Sequence, residues 1–245
     1  MNAVTDTLFI SDLHLSDERP EITILFLEFM RHEAAKAQAL YILGDLFEVW
    51  LGDDAILPAY QPVVAGISTL TNSGVPVYAM HGNRDFLIGE GFAQQCGCRL
   101  LPDPTVIDLD GSRTLLMHGD TLCTDDVEYQ RFRSQIRNPD TQRQFLSLAI
   151  KERIAVAKHY RDQSREHNRL KSEEIMDVNQ TTVLETMRQH GVHRLIHGHT
   201  HRPAKHNFTL DGCAAQRIVL GDWYEQASIL KCNSGKCRLE SSLSL

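Results

Sequence analysis

Short apolar runs recur along this chain, and each one stops at a glycine or a polar cluster. Residues 7–10 (TLFI) enter Ser11-Asp12-Leu13-His14, residues 40–43 (LYIL) stop at Gly44-Asp45, and residues 75–80 (VPVYAM) stop at His81-Gly82-Asn83-Arg84-Asp85. Runs of this length bounded by turn signals predict buried strands. Between them, residues 22–32 carry Ile22, Leu25, Phe26 and Phe29 at helical spacing, and residues 62–71 predict a second helix ended by Asn72-Ser73-Gly74. Strand, helix, strand, helix, strand is the order of a parallel sheet built from βαβ units. A short helix is expected at residues 91–97.

The pattern then changes. Residues 105–108 alternate, Asp110-Gly111 signals a hairpin, and residues 113–117 are apolar up to His118-Gly119-Asp120. Helical spacing follows at Tyr129, Phe132 and Ile136, then Asn138-Pro139-Asp140 breaks the run and residues 145–160 are helical again. Residues 172–190 predict a further helix closed by Gly191. Residues 194–196 predict a strand running into His197-Gly198-His199-Thr200-His201. Four short strands at 206–210, 217–220, 228–232 and 236–240 are expected to form a second, mostly antiparallel sheet.

Composition narrows the class. The chain has 245 residues, 42% hydrophobic and 23% charged, as expected of one α/β domain over residues 1–245 with a helical insertion. Its net charge of −7 argues against a nucleic-acid partner. Residues 124–171 run the other way, with eleven Lys and Arg against seven Asp and Glu. A basic helical segment with aromatic positions in an acidic chain is the largest composition shift, and that insertion is expected to act as a lid or else to be a solvated helical hairpin. The start lacks the basic and apolar regions of a signal peptide, and no stretch approaches a membrane span. The six cysteines therefore predict reduced thiols in a cytoplasmic protein. Cys96-Gly97-Cys98 lacks zinc or redox spacing and predicts buried free thiols.

The strand ends carry candidate chemistry. Asp12 and His14 are two residues apart, so in an extended segment they face one side, as do His199 and His201. Asp45 ends a strand, where open α/β sheets place ligands, and its two oxygens can bridge two cations. Asn83 is a neutral oxygen donor in a matching position, and His118 offers an imidazole beside a carboxylate. His197 alternates with the later pair, and spacing alone does not exclude it. No cysteine belongs to this set. Two ions sharing Asp45 at about 3.5–4 Å would clamp a phosphoryl group and activate water.

The ordered motifs D-x-H, G-D-x-x-E, G-N-R-D, H-G-D and G-H-T-H resemble the calcineurin-like metallophosphoesterase superfamily over nearly the whole chain. The resemblance implies an α/β fold, a four-layer αββα sandwich with a dimetal site at the strand ends. By it, Asp12, His14, Asp45 and His201 would hold one ion, and Asp45, Asn83, His118 and His199 the other. His197 is not a ligand in that pattern.

YILGDLFEVWLGDD, HGNRDFL, LMHGDTLCTDD, IMDVNQ and LIHGHTHRP look more narrowly like the branch that hydrolyses UDP-2,3-diacylglucosamine in Gram-negative lipid A synthesis. That implies two manganese ions and attack of metal-activated water on the UMP-side phosphorus, giving 2,3-diacylglucosamine 1-phosphate and UMP. It also implies substrate contacts at Asn83, Arg84, Asp126, Ser164, Asn168, Lys171 and His199, with Asp45, Asn83, Arg84 and His199 as the catalytic group. No inference is drawn for the tail after Leu220.

Many superfamily members have a histidine where this chain has Arg84. A guanidinium cannot act as a general acid near neutral pH, but it can neutralise a second phosphate. That suits a diphosphate, whose leaving group needs no proton. A diacyl substrate also needs an apolar slot, for which Trp50, Phe86, Leu87, Phe132, Phe145 and Leu146 are candidates. Basic and apolar helices at 124–171 suit peripheral contact with the cytoplasmic face of the inner membrane. Two alternatives are a related dimetal phosphodiesterase acting on a soluble nucleotide and a scaffold that has lost its metals. The full ligand set argues against the second.

Overall fold

The computed structural model describes residues 5–170, 175, 177–224 and 226–244, with side chains described outside 165–170 and 242–244. In chain order the first half supplies β1 (Thr7–Ile10), α1 (Pro20–His32), β2 (Ala39–Leu43), α2 (Gln61–Asn72), β3 (Val77–Met80), α3 (Glu90–Cys96) and β4 (Arg99–Leu101). The hairpin β5 (Thr105–Leu109) and β6 (Ser112–Met117) leads into α4 (Val127–Ile136), α5 (Pro139–Leu146) and α6 (Ile150–Leu170). The chain closes with α7 (Gln180–His190), β7 (Arg194–His197), β8 (Ala204–Leu210), β9 (Cys213–Val219), β10 (Gln226–Asn233) and β11 (Lys236–Ser244).

Two sheets result. The first has the order β11-β10-β1-β2-β3-β4, and the second β5-β6-β7-β9-β8. Strands β1 to β4 are mutually parallel, as the βαβ pattern predicts. The expected second sheet is corrected in two respects. Strands β10 and β11 join the first sheet, β10 antiparallel to β1 and β11 antiparallel to β10 at its edge. The second sheet is mixed, with β6, β7 and β9 parallel between antiparallel edges.

Period-two alternation explains the layers. In β1, Leu8 and Ile10 face a core shared with α1–α3, while Phe9 faces the other way. In β2, Leu40 and Ile42 join that helix-facing core, and Leu43 joins Phe9. In the second sheet, Leu116 and Ile196 meet Phe9, Leu43 and Met80, while Leu115 and Leu195 pack outward on Val183 and Met187 of α7. The order is therefore helices, sheet, sheet, helix. Fully burying a side chain such as Phe9 or Ile196 contributes about 1.5–3 kcal/mol, an upper value because unfolded chains are not fully extended.

Other expectations need correction. The helix predicted for 145–160 is two helices. Residues 147–149 turn, and Arg153 donates to the Leu148 carbonyl there. The helix predicted for 172–190 begins at Gln180, where the Asn179 side chain accepts the Thr182 N–H as an N-cap. Residues 172–174 and 176 lie outside the described ones. Strand β4 was not anticipated because three residues are too short to show a period. Cysteine usage also differs. Cys232 and Cys237 are paired residues of the β10–β11 ladder, with Cα atoms 4.1 Å apart, and form a disulfide. Cys96, Cys98 and Cys123 are buried free thiols, and Cys213 is an exposed one. Among the described residues, no helix is long and apolar enough to cross a membrane.

Candidate metal centre and substrate cleft

The loops after β1 and β2 run side by side past the sheet edge. The N–H groups of Asp12, His14 and Leu15 donate to the carbonyls of Gly44, Asp45 and Leu46 at 3.0–3.1 Å. These bonds continue the parallel pairing beyond the strands and bring Asp12, His14 and Asp45 together. Asp85 fixes the second loop to the third. Its fully buried carboxylate accepts the N–H groups of Gly82 and Leu46, each at 2.8 Å.

Five of the seven candidate ligands have left-handed backbone: Asp12, His14, Asp45, His199 and His201, with φ between 49° and 69°. Such residues are uncommon outside glycine and cluster at functional sites. Gly82 and Gly198 allow this crowding. A β-carbon on Gly82 would strike the Asp45 carboxylate, and one on Gly198 would strike that of Asp12.

Two donor groups form. Asp12, His14 and His201 offer atoms within 4.8 Å of one another, and so do Asp12, Asp45 and His118. Oδ2 of Asp45 lies 3.8 Å from Nε2 of His14 and 3.8 Å from Nε2 of His118, midway between the two halves. Asn83 Oδ1 lies 2.9 Å from both His118 Nε2 and His199 Nδ1. All seven predicted ligands thus converge. Oδ1 of Asp12 is buried, lacks a hydrogen-bond partner and faces His201 Nε2 at 3.5 Å. An orphaned carboxylate oxygen among imidazoles fits a divalent cation.

The ring atoms facing away from the centre are also partnered. Nδ1 of His14 meets Glu48 at 2.9 Å, Nδ1 of His201 meets Asp222 at 3.0 Å, and Nδ1 of His118 donates to the Leu43 carbonyl at 2.9 Å. These contacts leave Nε2 of each ring free to ligate. His197 is separate. It is fully buried, its Nδ1 donates to the Gly198 carbonyl, and Arg217 donates to its Nε2. Burial and the Arg217 charge push it down to about 3.

The centre is an anionic hollow. Burial opposes ionisation of Asp12, yet the His201 ring facing it at 3.5 Å, with the charges of His118 and His14, holds its carboxyl below the usual range. Burial lowers His118, but Asp45, Asp12 and Asp120 outweigh it and hold the imidazole at about 9. Burial also lowers His201, and Asp12 and Asp222 bring it to about 10. Burial, then the His118 charge, push His199 down to about 4. The buried carboxylates thus call for positive charge, which protons or divalent ions can supply.

Two cavities meet over this hollow. A polar cleft of about 270 Å³ is lined by His14, Asp45, Asp126, His199, His201 and Tyr224. A mainly apolar cavity of about 360 Å³ lies between the core and α4–α6. Asn83, Arg84, Tyr129 and Ser164 line both. Trp50, Phe86, Leu87, Phe132 and Phe145 all line the apolar cavity. Leu146 does not; it packs over Gly52 and is 37% exposed. Asp126 lines the polar cleft and caps α4 by accepting the Tyr129 N–H. The Asn168 side chain and Lys171 lie outside the described residues.

Sequence reasoning passed over Glu48, Asp85, Asp120, Asp222 and Tyr129. Glu48, Asp85 and Asp120 close three of the quoted motifs, but nothing in the spacing assigns them a role. Asp120 accepts the Tyr129 hydroxyl at 2.8 Å and pairs with Arg133 at 2.6 Å, joining α4 to the centre. Asp222 had a legible signal. Val219-Leu220-Gly221-Asp222 repeats the strand-Gly-Asp pattern of Ile42-Leu43-Gly44-Asp45. Trp223 anchors that loop, fully buried against Phe26 and Phe29, with its indole N–H on the Ser228 carbonyl.

Two sheets flanked by helices, with buried acids and imidazoles gathered at their strand ends, describe a metal-dependent phosphoesterase. The chain belongs to the calcineurin-like phosphoesterase family, whose sequence model matches residues 6–203. It is 52% identical over 242 residues to UDP-2,3-diacylglucosamine hydrolase of Stenotrophomonas maltophilia strain K279a, covering 96% of this chain and 98% of that one. It is 53% identical over 241 residues to UDP-2,3-diacylglucosamine hydrolase of Xanthomonas axonopodis pv. citri strain 306, with the same coverage. A solved archaeal phosphodiesterase is similar over 97% of this chain and 99% of its own, at 13% identity and a TM-score of 0.48.

Proposed function

We propose that this chain hydrolyses the diphosphate of UDP-2,3-diacylglucosamine, giving 2,3-diacylglucosamine 1-phosphate and UMP. The observation that carries the reading is the position of Arg84 and Asn83 where the polar cleft opens into the apolar cavity. A substrate with a nucleotide at one end and acyl chains at the other can span that junction with its diphosphate between them. The relatives named above support the same substrate.

In this reading Asp12, His14, Asp45 and His201 hold one divalent ion, and Asp45, Asn83, His118 and His199 the second. Two such ions, proposed as Mn²⁺, supply activated water and charge neutralisation at the attacked phosphorus. Arg84 neutralises the second phosphate, which departs without needing a proton. Asp126 and Ser164 hold the substrate at the cavity junction, with Asn168 and Lys171 as further contacts. Trp50, Phe86, Leu87, Phe132 and Phe145 shelter the acyl chains. Residues 124–171 act as a lid on a single domain.

Val127, Ile150, Ile154 and Tyr160 of α4 and α6 are exposed apolar side chains, Val127 at 62%. Set among the basic residues of the insertion, they support peripheral contact with an anionic bilayer at the cytoplasmic face of the inner membrane. The test compares hydrolysis of UDP-2,3-diacylglucosamine with that of unacylated UDP-glucosamine. A much higher kcat/KM for the acylated substrate is expected. Equal rates would return the reading to a soluble-nucleotide phosphodiesterase.

A further inference from the structure

One chain of contacts links the helical insertion to the metal centre. Arg161 of α6 pairs with Oε1 of Glu48 at 2.8 Å. The other oxygen of Glu48 meets Nδ1 of His14 at 2.9 Å. The opposite ring nitrogen of His14 lies 3.3 Å from His201 Nε2 and 3.8 Å from Asp45 Oδ2. The links are sheltered: the side chains of His14, Glu48 and Arg161 are 4%, 10% and 21% exposed.

The two ends of this path are held differently. Glu48 is fixed in the core, since its N–H donates to the Leu15 carbonyl at 3.0 Å, beside the Leu15–Phe47 bridge. The first turn of α6 is tied down by Arg153, which pairs with Asp54 and donates to the Leu51 carbonyl. Arg161 lies two turns further along α6, on the wall of the apolar cavity. Among the described residues, it is the charged contact from that stretch of α6 to the donor set.

We propose that Glu48 and Arg161 are positioning residues for the ion held by His14, so that occupancy of that ion and seating of α6 favour one another. This rests on the dimetal reading above. The Glu48 carboxylate fixes the His14 tautomer with Nε2 free and makes the ring a better donor. Arg161 holds Glu48 in the rotamer that does this. Its charge acts across two ion-pair contacts and an imidazole ring, beside an open cavity, where solvent screens it. Orientation therefore outweighs repulsion of the cation. Linkage makes the effect reciprocal: whatever α6 seating adds to ion affinity, the ion returns to α6 seating.

The experiment titrates the metal-free full chain with Mn²⁺ and reads binding by electron paramagnetic resonance. The unaltered chain should bind two ions. Glu48→Ala should weaken one of the two by about 10–100-fold, the range found for such outer partners. Arg161→Ala should weaken the same site by a smaller factor and add nothing in the Glu48→Ala background, because both act along one path. Arg161→Lys, which keeps the charge without the planar fork, should recover only part of the loss. Hydrogen exchange of the α6 amides around Arg161 should slow on Mn²⁺ binding in the unaltered chain and not in Glu48→Ala. Two ions bound with unchanged affinities in Arg161→Ala would overturn the link and leave the dimetal reading standing. A single ion bound by the unaltered chain would overturn both.

Discussion

The main-chain N–H of Arg84 donates to Oδ1 of Asp45 at 2.8 Å. That bond occupies one carboxylate oxygen and leaves Oδ2 facing His14 and His118. The residue proposed to neutralise the second phosphate thus fixes the shared carboxylate through its backbone, while its side chain faces both cavities.

Arg84→Ala should therefore keep its metal and lose turnover. The backbone bond survives the substitution, so metal content should match the unaltered protein. Loss of one charge-stabilising donor is worth about 10²–10³ in kcat. Metal analysis beside steady-state kinetics decides this, and a variant that lost metal while turning over normally once reloaded would refute the role. Arg84→Lys should remain well below the unaltered enzyme, since a point charge lacks the planar fork.

Asp45→Ala should lower metal content more than the change of any residue that serves one ion. Oδ2 of Asp45 sits 3.8 Å from a ring nitrogen of each half. His14→Ala and His118→Ala should each retain one ion more tightly than Asp45→Ala retains either. Elemental analysis of the three purified variants is the measurement, and equal metal contents would contradict the bridge.

Metal removal should destabilise the fold. The hollow holds buried Asp12, Asp45 and Asp120, and Oδ1 of Asp12 has no hydrogen-bond partner. An ion at one hundred times its Kd contributes about 2.7 kcal/mol per site. In a chain of this size, 1 kcal/mol shifts Tm by about 2–4 °C. Calorimetry of chelated and Mn²⁺-loaded protein should show a rise of several degrees, and no difference would contradict the placement of the ions.

Acyl length should set kcat/KM. Each buried methylene contributes about 0.8 kcal/mol, or about fourfold, until the cavity is filled. Phe132→Asp or Phe145→Asp should weaken the acylated substrate without altering metal content. A substrate series of increasing chain length on these variants and the parent measures both effects. A flat series would mean that the cavity serves another purpose.

Asp85 should matter for stability before it matters for chemistry. It accepts the Gly82 and Leu46 N–H groups at 2.8 Å while fully buried. Each donor left unsatisfied costs about 1–3 kcal/mol. Asp85→Ala should lose about 2–6 kcal/mol in denaturant unfolding. Asp85→Asn should also destabilise, because its amide hydrogens would meet main-chain N–H groups.

Strands, helices and strand-end donors were legible because each rests on a local period or a turn signal. The apolar runs at 7–10 and 40–43 gave β1 and β2 within one residue. What was not legible depends on contacts distant in sequence. Nothing local to β10 says that it pairs with β1 across more than two hundred residues. Cys232 and Cys237 face each other only because a tight hairpin sets that register. Glu48 reads as an ordinary surface acid until the ring of His14 is seen against it.

Each donor set draws on both sheets. Asp12, His14, Asp45 and Asn83 follow strands of the first sheet, while His118, His199 and His201 follow strands of the second. A folding chain that has formed either sheet alone therefore presents no complete set. The sheets must first bury Phe9, Leu43 and Met80 against Leu116 and Ile196. Closing contacts between residues as distant as Asp12 and His201 is slow, because chain entropy must be lost before those contacts form. Tight Mn²⁺ uptake during refolding should then lag behind formation of the inter-sheet core, and a substitution such as Ile196→Ala should delay it without touching a ligand.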